Sequence, residues 1–302
     1  MRKEYITIPS SDNINTLNVK IYIPNGEPVG IFQAVHGMTE HLERYDELLE
    51  AVCEAGYFCI IHDHLGHGKT AKKEDLGFIA KKDGYKLLVD DVERVYRAAD
   101  MRYPNKKHVL LGHSMGSFIT RLYVKEYGKH LSSYIMMGSG NANPASDIGI
   151  LLTRLICKIK GDRYVSRFIY SMAFGSYNKK FKDENNIYAW LSCENTNKEI
   201  YAKDEYCTFK FCVSAMNDLI RLNKNCNKKE WYKSLPENLK IFILSGEDDP
   251  VGEHGKGITR VYEKLKREEK YDVTLKLYKE SRHEILKDFC KNEVISDIIS
   301  FI

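Results

Sequence analysis

The five residues GHSMG (112–116) place a serine between two glycines, where an apolar run ends and a helical pattern begins. A serine on a sharp strand-to-helix turn exposes its hydroxyl beside a helix N-terminus, whose free N–H groups and dipole favour an oxyanion. The flanking glycines let the strand and the helix approach closely. We therefore predict that Ser114 is a nucleophile rather than a helix-capping serine.

A serine hydroxyl needs an oriented base near neutral pH. When the serine sits on such an elbow, the acid follows it in the chain and the histidine comes last. His283 follows the final predicted strand, whereas His254 lies just past the acidic loop GEDDPVG (246–252), in the next predicted helix. His283 is therefore the predicted base. The proline in that loop biases the residue before it towards an extended conformation, which favours Asp249 over Asp248 as the acid.

The oxyanion that forms when a serine attacks a carbonyl needs two hydrogen-bond donors. The first is predicted to be the backbone N–H of Met115, the residue after the nucleophile. The second is predicted to be the N–H of Met38, in the loop after the apolar run VGIFQAVHG (29–37). Both donors belong to the main chain, so the methionine side chains do not themselves supply this function.

These residues lie at the ends of elements that alternate between short β-branched runs and helical patterns, as in a mostly parallel sheet covered by helices. We predict an α/β fold with a mostly parallel central sheet flanked by helices. The predicted strands are 16–24, 29–37, 57–63, 107–114, 132–139, 239–246 and 273–279. The predicted helices are 40–55, 84–101, 115–127, 254–269 and a terminal helix from Leu286.

Residues 140–235 interrupt this alternation with helical and aromatic stretches. They contain 16 Lys and Arg against 10 Asp and Glu, a balance of +6, although the whole chain carries only +4. A helical insertion between two strands of the sheet is the simplest interpretation. The sequence thus predicts a catalytic domain of residues 1–139 and 236–302, with a basic helical cap of residues 140–235 inserted after the strand that follows the nucleophile helix.

The stretch DIGILLTRLICKIK (147–160) has an apolar helical face, and two interpretations of it stay open. The face packs onto the catalytic domain, or it lines an acyl-chain tunnel and touches lipid aggregates. In the second case the nearby basic residues favour anionic head groups or an anionic membrane surface. The candidates for substrate contact are Ile148, Leu151, Leu152 and Leu155.

The composition narrows the class of protein. Hydrophobic residues make up 43% and charged residues 29%, which is typical of a globular protein with a sizeable core. The small net charge gives no indication of nucleic acid as a partner. We see no secretory signal and no membrane-spanning run, so we expect a cytoplasmic protein with reduced, mostly buried cysteines. Peripheral contact with a membrane or a lipid aggregate stays open.

Three histidines in the loop HDHLGHG (62–68), His62, His64 and His67, have a spacing that would suit a zinc site. A complete serine machinery makes such a metal unnecessary. We therefore predict that these histidines fix the loop by hydrogen bonding. No metal and no organic cofactor are expected.

Five ordered blocks resemble those of the monoacylglycerol lipase and lysophospholipase branch of the α/β-hydrolases, and the resemblance covers essentially the whole chain. Two phrases in the insertion, WLSCE and DEYCTFKF, resemble cap phrases of that branch. The blocks are HGMTEHLERY (36–45), DHLGHG (63–68), GHSMG (112–116), GEDDPVG (246–252) and ESRHEILKD (280–288).

The resemblance implies an α/β-hydrolase fold in which Ser114, Asp249 and His283 match the family's triad. It also matches Met38 and Met115 to the oxyanion donors and strengthens the preference for the second aspartate of the acidic loop. This chain has a serine where the family often has a further glycine after the elbow; a small residue there casts little doubt on catalysis.

The expected activity is hydrolysis of a carboxylic ester of a lipid with one acyl chain, with lysophospholipid and monoacylglycerol as leading substrates. A short-chain carboxylesterase, thioesterase or peptidase would use the same triad, and the dependence on acyl-chain length separates these activities. A non-catalytic ligand-binding protein on a hydrolase scaffold is the remote alternative, and the intact triad argues against it.

Overall fold

The computed structural model describes residues 1–302 and contains one eight-stranded sheet in the order β1-β2-β4-β3-β5-β6-β7-β8. β1 and β2 pair antiparallel, β2 pairs antiparallel with β4, and all the remaining neighbours are parallel. The strands are β1 (Arg2–Pro9), β2 (Thr16–Ile23), β3 (Gly30–Val35), β4 (Tyr57–His62), β5 (Lys107–His113), β6 (Leu131–Met137), β7 (Lys240–Gly246) and β8 (Asp272–Tyr278).

Ten α-helices accompany the sheet. The central strands are buried on both faces, which explains their nearly continuous apolar runs. In β6, for example, Tyr134 and Met136 join the core under α2, α3 and α9, while Ile135 and Met137 join the core under α1 and α10. The helices are α1 (Asp46–Glu54), α2 (Gly84–Arg102), α3 (Met115–Tyr127), α4 (Ser146–Lys160), α5 (Arg167–Phe174), α6 (Asn195–Lys203), α7 (Val213–Cys226), α8 (Lys229–Lys233), α9 (Lys256–Lys266) and α10 (Lys291–Phe301).

The helices α4 to α8 lie between β6 and β7, in a helical insertion of residues 138–239. It includes an outer segment, residues 146–174, which contains α4 and α5. It also includes an inner segment, residues 178–203, which ends with α6. Arg121 of α3 holds both ends of the insertion, because its guanidinium donates to the carbonyl of Gly140 at 3.1 Å and to that of Cys226 at 2.6 Å.

The predicted α/β fold with a mostly parallel sheet is confirmed. The sequence analysis missed β1, because this edge strand is largely exposed and its apolar alternation is limited to Ile6 and Ile8. The terminal helix begins at Lys291 rather than Leu286. The carboxylates of Glu284 and Asp288, which precede it, bind Arg44 and the backbone N–H of Arg282 respectively. The predicted boundary of a separate cap domain stays a prediction.

Candidate active site

Ser114 lies on the turn between β5 and α3 with φ 52° and ψ −120°, a left-handed conformation that costs free energy in any residue with a side chain. The turn requires glycines on both sides. A Cβ on Gly112 would lie 2.2 Å from Thr120 Oγ1, and one on Gly116 would lie 2.2 Å from the carbonyl oxygen of Val35. The elbow therefore depends on close approach of strand and helix, as the motif predicts.

The structure brings the three predicted triad residues together. The Ser114 hydroxyl lies 2.8 Å from His283 Nε2, and His283 Nδ1 lies 3.0 Å from Asp249 Oδ2. Asp249 is fully buried, and its other oxygen accepts the N–H of Val251 at 2.8 Å. In this arrangement the hydroxyl donates to Nε2 and Nδ1–H donates to the carboxylate, which is the geometry of an activated nucleophile.

The two competing residues lie elsewhere. Asp248 faces outwards, where its carboxylate pairs with Lys180 of the inner segment. His254 is exposed, and its Nδ1 lies 3.1 Å from the carbonyl oxygen of Asp248. The structure therefore places Asp249 and His283, rather than Asp248 and His254, beside Ser114.

The loop after β3 lies against the nucleophile. A Cβ on Gly37 would lie 3.0 Å from Ser114 Cβ, so the next residue, Met38, borders the same space. Met38 and Met115 both line the cavity that contains the serine. Neither donates its backbone N–H to another group of the chain, so both amides are free to bind a ligand oxygen.

A buried ion pair lies beneath His283. His113 Nδ1 lies 2.7 Å from Glu40 Oε1, and His113 Nε2 lies 3.3 Å from the carbonyl oxygen of His283. Burial opposes the charge of Glu40, but His113 outweighs it and lowers the carboxyl pKa to about 2. Burial likewise favours neutral His113, but Glu40 prevails and raises the imidazole pKa. The pair thus keeps a cation next to the His283 backbone, and no sequence motif predicts it.

Ser114 opens into a cavity of about 750 Å³ beneath the insertion. Its walls combine apolar residues, among them Phe118 and Val251, with polar ones, among them Thr39 and Glu284. Further apolar walls come from the insertion itself, with Met172, Phe174, Leu219 and Ile220. The arrangement suits a molecule that has an apolar chain and a polar end.

The four candidates for substrate contact on α4 do not line this cavity. Ile148, Leu151 and Leu155 are exposed by 60%, 68% and 51%, and Leu152 is half-buried against the core. The small and polar face of α4 turns inwards instead, where Thr153 Oγ1 accepts from the Asn217 side chain of α7 at 2.7 Å. The prediction failed because periodicity shows that a helix has an apolar face but not which way that face points.

The histidine loop after β4 is packed in the core. His62, His64, His67 and the nearby His36 are fully buried, and the rings of His36 and His64 lie 4.1 Å apart. His64 Nε2 lies 3.0 Å from the His36 carbonyl oxygen. Burial lowers the pKa of His62 to about 3 and that of His67 to about 4, so these rings are neutral at pH 7.

One other group has metal-ligand chemistry. Donor atoms of His41, Asp204 and Cys207 lie within 4.8 Å of one another. His41 Nε2 already binds Asp204 Oδ2 at 2.8 Å, which joins the loop after β3 to the insertion. All eight cysteines are separate thiols, and six of them are buried. No helix combines the length and the apolar composition that crossing a membrane would need.

Comparison with known proteins identifies the family of this chain. The family model Hydrolase_4, described as serine aminopeptidase S33, matches residues 26–289. The chain is 24% identical to a monoglyceride lipase of Rattus norvegicus over 92% of this chain and 84% of the relative. It is 24% identical to a probable lysophospholipase L2 of Haemophilus influenzae, over 72% of this chain and 67% of the relative.

Solved structures show the same architecture. A thermostable carboxyl esterase of Bacillus coagulans, in complex with glycerol, superposes with a TM-score of 0.94 at 26% identity, covering 100% of this chain and 98% of the esterase. The chain therefore belongs to the Hydrolase_4 family, and within the α/β-hydrolases to the branch of the monoacylglycerol lipases that its sequence blocks resemble.

Proposed function

We propose that this carboxylic ester hydrolase cleaves a lipid with a single acyl chain, a lysophospholipid or a monoacylglycerol, through an acyl-enzyme on Ser114. The observation that carries the proposal is the hydrogen-bonded chain from Ser114 through His283 to Asp249, at the floor of a large and partly apolar cavity. The relatives named as monoglyceride lipase and probable lysophospholipase support the substrate class.

The reaction follows from the positions of the atoms. Ser114 Oγ attacks the ester carbonyl carbon while its proton passes to His283 Nε2, and Asp249 stabilises the imidazolium without taking its proton. The tetrahedral intermediate collapses as His283 protonates the leaving alcohol. A water then enters, loses a proton to the same nitrogen and releases the fatty acid from the serine.

The negative charge of each tetrahedral intermediate falls where two unused amides lie. The N–H groups of Met38 and Met115 are the proposed donors, and they need no rearrangement because neither is engaged within the protein. Because these donors are backbone groups, substituting the methionine side chains would test them poorly.

The cavity offers apolar and polar contacts for the two ends of such a substrate. The apolar walls from Phe118, Phe174 and Ile220 suit the acyl chain, and the polar walls near Thr39 and Glu284 suit the alcohol. A short-chain carboxylesterase remains the second candidate, because the well-superposed esterase of Bacillus coagulans shares the fold over the whole chain. A thioesterase or peptidase would use the same triad.

The outer segment is proposed to meet the lipid surface that holds the substrate. Ile148, Leu151, Leu155 and Ile159 form an exposed apolar stripe on α4, and Phe168 of α5 is 58% exposed. Exposed basic residues surround the stripe, and such a combination binds the interface of anionic lipids. α5 also contributes cavity walls, so this surface adjoins the entrance for substrate. The exposed basic residues are Arg154, Lys158, Lys160, Arg163 and Arg167.

The test is fatty-acid release from palmitoyl lysophosphatidylcholine and from 1-palmitoylglycerol, side by side, with Ser114→Ala as the blank. We expect release from at least one of them that the alanine variant lacks, and the ratio identifies the preferred alcohol. Activity on p-nitrophenyl butyrate and on neither lipid would mean that the protein is a short-chain esterase and not a lipase. If a fluorophosphonate does not label the protein in a Ser114-dependent way, the proposed triad is wrong.

The triad roles predict the largest losses of turnover. His283→Ala and Ser114→Ala should each reduce kcat by roughly a thousandfold or more, because residues that act as a unit fail together. Asp249→Asn should also be severe, since it removes the acceptor that holds the tautomer. The measurement is kcat on a soluble ester, with far-UV circular dichroism to confirm folding.

A further inference from the structure

The residue before the catalytic histidine is bonded to the inner segment of the insertion. Arg282 Nη1 donates to the carbonyl oxygen of Ala189 at 2.6 Å and to that of Ser192 at 3.2 Å. Its Nη2 pairs with Glu184, and its guanidinium lies 4.0 Å from the ring centroid of Phe181. Only 12% of the Arg282 side chain is exposed, whereas the Glu184 side chain is 33% exposed.

A buried carboxylate makes a second connection. Asp288 Oδ2 accepts the backbone N–H of Arg282 at 2.7 Å, while its Oδ1 accepts the hydroxyl of Ser192 at 2.5 Å and the N–H of Cys193 at 2.9 Å. Asp288 is 3% exposed. One carboxylate therefore holds the main chain of the histidine loop and the main chain of the inner segment in a fixed relation.

The residue after the catalytic histidine is held in the same way. The N–H of Glu284 donates to the carbonyl oxygen of Leu191 at 2.8 Å, and its carboxylate accepts from Asn197 at 2.7 Å. Arg44 donates to both carboxylate oxygens at 2.8 Å. The chain on both sides of His283 is thus attached to the inner segment.

Residues outside the insertion also contact the histidine loop. His113 reaches the carbonyl oxygen of His283 at 3.3 Å, and the carbonyl oxygen of Ser281 accepts the N–H of Asp248 at 2.9 Å. Arg44 binds the Glu284 carboxylate as well, so of the two side chains that flank His283 only that of Arg282 is bound by the insertion alone. The ring of Trp190, also from the inner segment, lies 5.2 Å from that of His283.

We propose that Arg282 is a positioning residue of the reaction: by binding the inner segment, it sets the orientation of the His283 imidazole towards Ser114. This inference rests on the proposed function, because it assumes that His283 is the base. It also makes the inner segment a fixed part of the catalytic apparatus, distinct from a lid that opens and closes. Small misplacements of a reacting group reduce rates by up to about 100-fold.

The experiment compares Arg282→Ala, Arg282→Lys and Glu184→Gln with the wild type on soluble p-nitrophenyl butyrate. Lysine keeps the charge but cannot span two carbonyls and a carboxylate. The glutamine variant removes the carboxylate charge that Arg282 shares with Lys198. The matched control is Lys224→Gln, which breaks an ion pair with Asp147 at the other end of the insertion. Readouts are kcat, KM, the thermal midpoint and the rate of fluorophosphonate labelling.

We expect Arg282→Ala to lower kcat and the labelling rate about 10- to 100-fold while KM changes less than about twofold. Arg282→Lys and Glu184→Gln should show smaller losses of kcat, and Lys224→Gln none.

An Arg282→Ala variant with a lowered thermal midpoint but normal kcat and labelling would overturn the proposal, since Arg282 would then only stabilise the fold. If that variant does not fold, normal kcat in both Arg282→Lys and Glu184→Gln overturns the proposal equally. The proposed function is tested separately. If the wild type lacks Ser114-dependent labelling, the proposed function is wrong, whatever the Arg282 variants do.

Discussion

The outer and inner segments belong to one insertion but contact different surroundings. The outer segment exposes apolar side chains, with Leu151 and Ile159 each 68% exposed. The inner segment instead buries polar ones: Lys198 is 2% exposed and Asn197 is 7% exposed. A patch of exposed apolar groups indicates contact with another molecule or a lipid surface, whereas buried polar groups must be paired within the protein.

Because of this difference, the two segments of the insertion fit different roles. The inner segment is joined by hydrogen bonds and ion pairs to the loop that carries His283, so it fits a role in aligning the triad. The outer segment packs its small and polar face on α7 and leaves its apolar face free, so it fits a role at a lipid surface. The predictions below test whether the two roles are separable.

Breaking the common support of both segments should have the largest effect on stability. The guanidinium of Arg121 is buried and stacks 4.2 Å from the centroid of Trp231, besides binding both ends of the insertion. Arg121→Met should lower the free energy of unfolding by about 3 kcal/mol, because buried carbonyls lose their donor. Urea denaturation measures this loss, and Arg97→Met, at an exposed pair on α2, serves as the control.

The control should change stability by less than about 0.5 kcal/mol. A loss in Arg121→Met no larger than that would mean that the ends of the insertion are held by packing alone. Arg121 would then not be the common support of the two segments.

Mild acid should destabilise the core before it disturbs the inner segment. His62 is buried, neither of its ring nitrogens has a partner, and burial lowers its pKa to about 3. The unfolded chain binds a proton near pH 6.5, so folding stability falls as pH drops from 6.5 towards 3, by about 1.4 kcal/mol per pH unit for each such histidine. His62 alone should cost about 2 kcal/mol at pH 5.

The inner segment responds in a lower pH window. Arg282 and Lys198 hold the pKa of Glu184 at about 2, so its contribution is present above the ordinary carboxyl pKa and is lost only as pH falls towards 2. Urea midpoints at pH 7.5 and 5.0 measure the difference, and His62→Leu should flatten the dependence. An unchanged slope in that variant would assign the acid sensitivity to other groups.

Charging the outer stripe should separate lipid contact from chemistry. Leu151→Asp combined with Leu155→Asp removes apolar area and adds negative charge on an exposed face, so turnover of substrate in anionic vesicles should fall about 10-fold. Turnover of p-nitrophenyl butyrate should not change. Equal losses on both substrates would mean that the outer segment supports the active site rather than the interface.

The smallest effect is expected from the exposed contact between the inner segment and the acidic loop. Lys180 and Asp248 are 50% and 25% exposed, and such pairs contribute about 0–1 kcal/mol. Asp248→Asn should therefore change kcat by less than about twofold, in contrast to Asp249→Asn. If Asp248 proved the damaging position, the assignment of the acid would be wrong.

Sequence reasoning succeeded where a local pattern carries its own physical cause. GHSMG specifies an elbow because its glycines avoid contacts that a Cβ would make, and the structure has this turn at Ser114. The alternating strands and helices gave the fold class for the same reason: strands buried on both faces need apolar residues throughout. The edge strand β1 was missed because it is largely exposed, and only a buried strand needs apolar residues throughout.

The sequence by itself determined the elbow, the alternation of strands and helices from β2 onwards and the family. Only the tertiary structure decided which face of α4 points outwards, that Glu40 and His113 form a buried pair, and that Arg282 binds the insertion. Each of these depends on contacts between residues far apart in the chain. Local periodicity and spacing reflect neighbours along the chain, whereas packing and long-range pairing are set only when the whole chain has folded.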